Sequence, residues 1–228
     1  MTWRMTKRMA AILTATALGA AALTVLPQGG AGNGGAAVAQ ARSAKTIGPG
    51  LGLSKAAPTG VEFKLPPGLT LESPIIAWSP ENPVDCDEKY SDESYGTGDE
   101  VRACLIFHNS TNAPITVTLP PGLLLVATND DVQNGIIVQT TTIVVPAGER
   151  YFAPLSAYCA NQDRSTTGLD DRYELGPVIQ QPQFHELYAL LEGKTLTREA
   201  AGYVQGAIDD ITQGKGLTPA RRAVLQSL

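Results

Sequence analysis

The sequence predicts a mainly β protein, an Ig-like antiparallel β-sandwich with a small C-terminal helical segment. Short apolar runs rich in Val, Ile and Thr crowd residues 101 to 159, and Pro-Gly or Asn-Gly turns separate them. That pattern is typical of antiparallel strands joined by tight turns. About seven such strands fit between residues 60 and 159, the number in a sandwich domain. After Cys159 the apolar period changes from two to 3.6, which indicates helices.

The N-terminus has the pattern of an export signal. Basic residues lie within the first eight positions, an alanine-rich apolar run covers residues 9 to 26, and Ala39 and Ala41 fit a signal peptidase site. We therefore expect a signal peptide over residues 1–41, with an uncleaved N-terminal anchor as the alternative. Residues 42–59 are rich in Gly, Ala and Ser and predict a flexible leader. The expected location is secreted or associated with the cell envelope.

The charge balance argues against nucleic acid as a partner. The chain has 17 basic and 22 acidic residues, and loss of the signal would remove further basic ones. Such an acidic protein is poorly matched to phosphate backbones. No long apolar segment follows the signal, so we expect no membrane span after its removal. No cofactor motif is present, and we expect no cofactor.

The β domain is predicted over residues 60–159. Residues 61 to 65 alternate between apolar and polar side chains, as an edge strand would, and residues 75 to 78 predict a short strand. In residues 101 to 108 both alternating sets contain apolar side chains, which predicts a central strand covered on both faces. Further strands are expected near residues 115–119, 123–126, 136–138, 143–145 and 151–159.

Residues 160–228 are predicted to form a polar loop and a three-helix segment packed on the sandwich. Pro182 introduces the first helix, which stops before Gly193. Thr197 is a plausible N-cap of the second helix, and Thr218 followed by Pro219 starts the third. Short helices with one apolar face each need packing partners to be stable.

Three cysteines leave one unpaired within a monomer. Cys86 and Cys104 flank an acidic loop, and a disulfide between them would tie down a segment with little apolar content. The alternative bond, Cys104 to Cys159, has the long separation of an immunoglobulin bridge. If Cys86 and Cys104 pair, Cys159 is left at the end of the last strand, either as a small buried side chain or as a reactive group.

The acidic loop supplies hard oxygen ligands of the kind that calcium prefers. The candidate ligands are Asp85, Asp87, Glu88, Asp92, Asp99 and Glu100. The alternative is a solvated loop held by the disulfide.

The helix around Gln205 resembles the glutamine motif of bacterial surface thioester domains, Thr-Gln-x-Ala-Ile-Trp followed by Thr-Asp. Here the residues are Val204-Gln205-Gly206-Ala207-Ile208-Asp209 and then Thr212-Gln213. In that family the glutamine joins a cysteine next to an aromatic residue, which leaves an electrophile for covalent attachment to host amines. The resemblance implies a candidate thioester between Cys159, beside Tyr158, and Gln205. This chain departs from the motif at Val204, Asp209 and Gln213.

The most favoured function is a non-enzymatic structural or interaction module of the cell envelope or extracellular space, acting on an unknown protein or cell-surface partner. A stiff β frame with polar loops is typical of such modules. The alternative is a thioester-type covalent adhesin that uses Cys159 and Gln205. A third class is a hydrolase in which Cys159 meets His108 or His185.

Overall fold

The computed structural model describes residues 47–79, 86 and 94–228. The predicted signal peptide, residues 1–41, lies outside the described residues. The described chain contains nine strands and three helices. The strands are β1 Leu69–Leu71, β2 Ile75–Ala77, β3 Val101–Asn109, β4 Ile115–Leu119, β5 Leu123–Ala127, β6 Gly135–Ile136, β7 Thr141–Val145, β8 Arg150–Cys159 and β9 Arg172–Val178; the helices are α1 Pro182–Leu191, α2 Arg198–Thr212 and α3 Pro219–Ser227.

Six of the strands close into an antiparallel barrel. Around the ring the order is β3, β2, β9, β5, β6 and β8, and β8 pairs with β3 again. The closing pair runs from Val101 opposite Ala157 to His108 opposite Arg150. Strand β1 also pairs with β3. It lies opposite Phe107 to Asn109, the end of β3 that β2 does not reach. Because the ring is closed, each of its strands has a hydrogen-bonded neighbour on both sides.

The prediction of an Ig-like sandwich is therefore wrong. A sandwich needs two separate sheets, whereas β3 pairs with β8 on one side and with β1 and β2 on the other, which joins the strands into one ring. Strand β9, which completes the ring, lies in the segment that the sequence assigned to loop and helix. Among the described strands, β4 and β7 form a separate sheet of two strands.

Three groups of buried apolar residues hold the fold together. One lies within the barrel and includes Val101, Leu105 and Phe107 of β3. The second lies between the helices and the outer surface of the barrel, and the third surrounds Cys104 and Ile106 on the other face of β3. The prediction that β3 is covered on both faces is confirmed.

The three predicted helices are confirmed. The hydroxyl of Thr197 accepts a hydrogen bond from Ala200 N at the start of α2, and the hydroxyl of Thr218 does the same for Arg221 N in α3. Such caps satisfy backbone donors that the helix itself leaves open. None of the helices in the described part of the chain is both long and apolar enough to span a membrane.

Residues 47 to 59, from the segment expected as a leader, contact the barrel. Leu51 is fully buried between the helices and the barrel. The backbone N–H of Gly52 donates to the carbonyl of Ala160 at 2.8 Å, just beyond the end of β8.

The predicted disulfide between Cys86 and Cys104 is confirmed. It packs against Trp78 and Ile106 on the outer face of β3.

Candidate functional site

The last residue of β8, Cys159, lies opposite Gly135 of β6 but extends beyond the end of β3, the neighbour on the other side. Strand β3 begins at Val101, opposite Ala157, so it provides no partner for Cys159. On the other side of β8, Ala160 N donates to Asn134 O, and backbone groups of neighbouring residues alternate in direction along a strand. The N–H and C=O of Cys159 therefore face the side where β3 is missing.

The side chain of Gln205 fills this place. Its Oε1 accepts from Cys159 N at 2.9 Å, and its Nε2 donates to Cys159 O at 3.1 Å. Nε2 also donates to Asp209 Oδ1 at 2.8 Å, so both amide hydrogens are used. The carboxamide thus continues the hydrogen bonding of the sheet, and it does so at the backbone of the unpaired cysteine.

Helix α2 holds Gln205 in this position through its apolar face. Val204, Ala207, Ile208 and Ile211 are fully buried against the second apolar group, which also contains Tyr158 next to Cys159. Asp209 lies four residues after Gln205, and side chains at this spacing are neighbours on a helix surface.

Cys159 is a free cysteine with 4% of its surface exposed. Its Sγ donates to Asn161 O at 3.0 Å and accepts from Asn161 N at 3.3 Å. Burial raises the pKa of the thiol to about 12, although the hydrogen bond with Asn161 acts in the opposite direction. The thiol is therefore protonated at neutral pH, and it does not resemble the exposed thiolates of redox-active cysteines.

Asn161 links the site to the N-terminal segment. Its side chain is fully buried; Nδ2 donates to the carbonyls of Gly50 and Gly52 at 3.1 and 3.0 Å, and Oδ1 accepts from Asn134 N at 3.0 Å. Asn134 Nδ2 donates to the same Gly50 carbonyl at 3.0 Å. Buried networks in which every member is satisfied are rigid, so the turn after Cys159 is held in one position.

Each atom of the Gln205 carboxamide that can form a hydrogen bond has a partner. A backbone N–H at 2.9 Å from Oε1 is placed as the donor of an oxyanion hole is, because it would stabilise negative charge that develops on this oxygen. The amide nitrogen contacts a carboxylate, Asp209. The structure thus places the Gln205 carboxamide at the backbone of Cys159, the other residue of the candidate thioester.

A polar cleft of about 460 Å³ lies beside the start of α2. It is lined by Thr97, Gly98, Ser156 and, one helical turn before Gln205, Ala201. Tyr203, on the same helix, is 51% exposed.

The structure does not bring a histidine to Cys159. His108 pairs across the sheet with Arg150, at the opposite end of β8, about 30 Å from Cys159 at the usual rise per residue. There its Nε2 hydrogen-bonds Glu72 Oε1 at 2.6 Å. His185 is exposed on α1.

The candidate calcium ligands are only partly visible. Asp85, Asp87, Glu88 and Asp92 lie outside the described residues. Asp99 accepts a hydrogen bond from Arg102 at 2.5 Å, and Glu100 is half-buried near the start of β3. Within the ranges that the structure describes, no three His, Cys, Asp or Glu side chains cluster as a metal site would need.

Sequence reasoning missed two of the residues that shape the site. Asp209 was noted only as a departure from the thioester motif, although its spacing from Gln205 could have indicated the contact. Asn161 lies in a segment assigned to a polar loop, and nothing in the sequence signals that its amide is buried.

A comparison of the chain with protein-family models, with curated proteins and with solved structures found no match.

Proposed function

We propose that the protein is an exported, non-enzymatic interaction module that attaches covalently to an amine-bearing partner through a thioester between Cys159 and Gln205. The observation that supports the proposal is the contact of the Gln205 carboxamide with the backbone of Cys159, through hydrogen bonds of 2.9 and 3.1 Å. These residues are 46 positions apart in the sequence and come from a strand and a helix. The partner would be a protein or another cell-surface component.

The reaction balances without a co-reactant. Cys159 Sγ forms a bond to Gln205 Cδ, the bond from Cδ to Nε2 breaks, and the thiol proton leaves with the nitrogen as ammonia. A primary amine of the partner later attacks Cδ. This step forms an amide bond, and the sulfur leaves and regains a proton.

Burial of the Cys159 sulfur would protect a thioester from water. Exclusion of water prevents hydrolysis of a reactive intermediate, and Cys159 is almost fully enclosed. Gln205 is only half-buried, which leaves a side from which an amine can approach.

Two observations support export. The N-terminal sequence has the composition of a signal peptide. The Cys86–Cys104 disulfide is of a kind that persists in oxidising compartments. We propose a secreted or envelope-associated location on this basis.

Intact mass spectrometry tests the proposal. We expect the purified mature protein to weigh less than its disulfide-bonded sequence by one ammonia, and to gain one methylamine on incubation with that amine. Cys159→Ala and Gln205→Ala variants should show the masses of their sequences with the disulfide formed, and no reaction. A wild-type mass equal to the free-thiol value, unchanged by methylamine, would refute the proposal.

The second candidate is a module that binds its partner without a covalent bond. It is favoured by the position of Gln205 at the point where β3 is missing, because two buried backbone groups of Cys159 need partners there. In that case Gln205 serves stability alone, and the same mass measurement distinguishes the two candidates.

A further inference from the structure

Asp209 is the carboxylate that contacts the reacting amide. Its Oδ1 accepts a hydrogen bond of 2.8 Å from Gln205 Nε2, the atom that would depart as ammonia. The residue is half-buried on α2, and its charge also acts on the Cys159 thiol. The carboxylate therefore contacts the atom that gains a proton.

The proposed reaction needs such a group. An amide nitrogen leaves only after it has gained a proton, and a thiol attacks as the thiolate. The thiol is buried, so water and buffer have little access to the sulfur. A side chain that accepts the proton from sulfur and donates it to nitrogen would serve both steps.

We propose that Asp209 is the proton-transfer residue of thioester formation, an inference that rests on the proposed function. The carboxylate takes the proton from Cys159 Sγ as Sγ bonds to Gln205 Cδ. It then donates that proton to Nε2 as the bond from Cδ to Nε2 breaks. Asp209 ends the reaction unprotonated, as it began, and the backbone N–H of Cys159 stabilises the charge on Oε1 in between.

The neighbouring charges provide a control. Glu100 is a second carboxylate whose charge acts on the Cys159 thiol. The carboxamide of Gln205 contacts Asp209 rather than Glu100. If negative charge near the thiol is what matters, Asp209→Asn and Glu100→Gln should change the rate of thioester formation alike. If Asp209 transfers the proton, only Asp209→Asn should slow it.

The experiment follows the loss of ammonia during refolding. Protein from inclusion bodies, unfolded in urea, is refolded by dilution with a glutathione redox pair for the disulfide, quenched in acid at intervals and weighed. Asp209→Asn keeps an oxygen that can accept from Gln205 Nε2 but transfers no proton. We expect it to form the thioester at least about 100-fold more slowly than wild type, which is the scale of general acid–base catalysis.

Two further measurements separate proton transfer from a structural role. Asp209→Ala should be equally slow, and added formate should raise its rate in proportion to the formate concentration. Glu100→Gln should keep the wild-type rate, and circular dichroism of each refolded variant checks the fold. A normal rate in Asp209→Asn, or no effect of formate on Asp209→Ala, would overturn the inference alone. A wild-type protein that never loses ammonia would overturn the proposed function as well.

Discussion

The hydrogen bonds from Gln205 to Cys159 predict a large loss of stability when Gln205 is shortened. The clean measurement uses Gln205→Ala in a Cys159→Ala background. The background variant removes the thiol and any thioester but keeps the backbone N–H and C=O of residue 159. The comparison therefore reports only on the loss of the carboxamide.

The expected magnitude follows from burial. Residue 159 is 4% exposed in the intact protein, so its two backbone groups depend on the carboxamide rather than on water for their hydrogen bonds. A buried donor or acceptor left without a partner costs about 1–3 kcal/mol. Some relaxation of α2 and β8 will reduce the sum, and we expect a decrease of about 2–4 kcal/mol in the free energy of unfolding.

Urea denaturation followed by the fluorescence of buried Trp78 measures this change. With a slope of about 2 kcal/mol per molar urea, the midpoint should fall by about 1–2 M. Gln213→Ala in the same background is the control, because Gln213 is exposed at the end of α2, and its change should be within about 0.5 kcal/mol. A Gln205→Ala midpoint that coincides with that of the control would refute the reasoning.

Three further predictions concern stability. Gly202→Ala should raise the free energy of unfolding by about 0.5–1 kcal/mol, because Gly202 is exposed within α2 and an added methyl group meets no atom within 4 Å; a lower urea midpoint would contradict this. The double change Cys86→Ser and Cys104→Ser should cost about 3 kcal/mol, since the disulfide closes a loop over a separation of 18 residues, and an unchanged midpoint would show that this loop is already restricted in the unfolded chain. Hydrogen bonds from Arg150 and then His108 lower the pKa of the Glu72 carboxyl to about 2, so its contribution is complete above the usual pKa of 4.5 and is lost as pH falls from there towards 2. Glu72→Gln should therefore lower the free energy of unfolding by less than about 1 kcal/mol at pH 7, because Glu72 and Arg150 are exposed, and should leave it nearly unchanged at pH 2; a difference that does not depend on pH would count against this explanation.

The helix caps and the burial of both faces of β3 could be predicted from the sequence, because each depends on residues that are close together in the chain. Thr197 and Thr218 cap their helices through hydrogen bonds within one turn. The alternating apolar sets of β3 showed that both of its faces are buried, whatever lies against them. These signals hold without knowledge of the tertiary structure.

Closure of the barrel could not be predicted in the same way. The alternation in β3 and β8 indicates two buried strands, but it does not show that they pair with each other rather than across two sheets. Strand β9 contains Gly176 and Pro177, which usually interrupt strands, and it is ordered by its pairing with β2 and β5. Conversely, the alternating residues 61 to 65 make only an isolated bridge, from Val61 to Val178.

The candidate site was half predictable. The short motif around Gln205 and the dipeptide at Cys159 named the two residues, but their contact depends on where α2 packs. The roles of Asp209 and Asn161 depend on distances across the fold that no local pattern contains.

The buried amide of Asn161 has a practical consequence for defining this protein's folding unit. Its hydrogen bonds fix the Gly50 and Gly52 carbonyls, which belong to the first part of the described chain to be synthesised. That segment has no binding place until residue 161 has left the ribosome, so the earliest residues dock among the last. A shortened protein that began at Gly60 would leave polar groups of Asn161 and Asn134 without partners beside Cys159. An expression boundary placed before Ile47 keeps the unit whole.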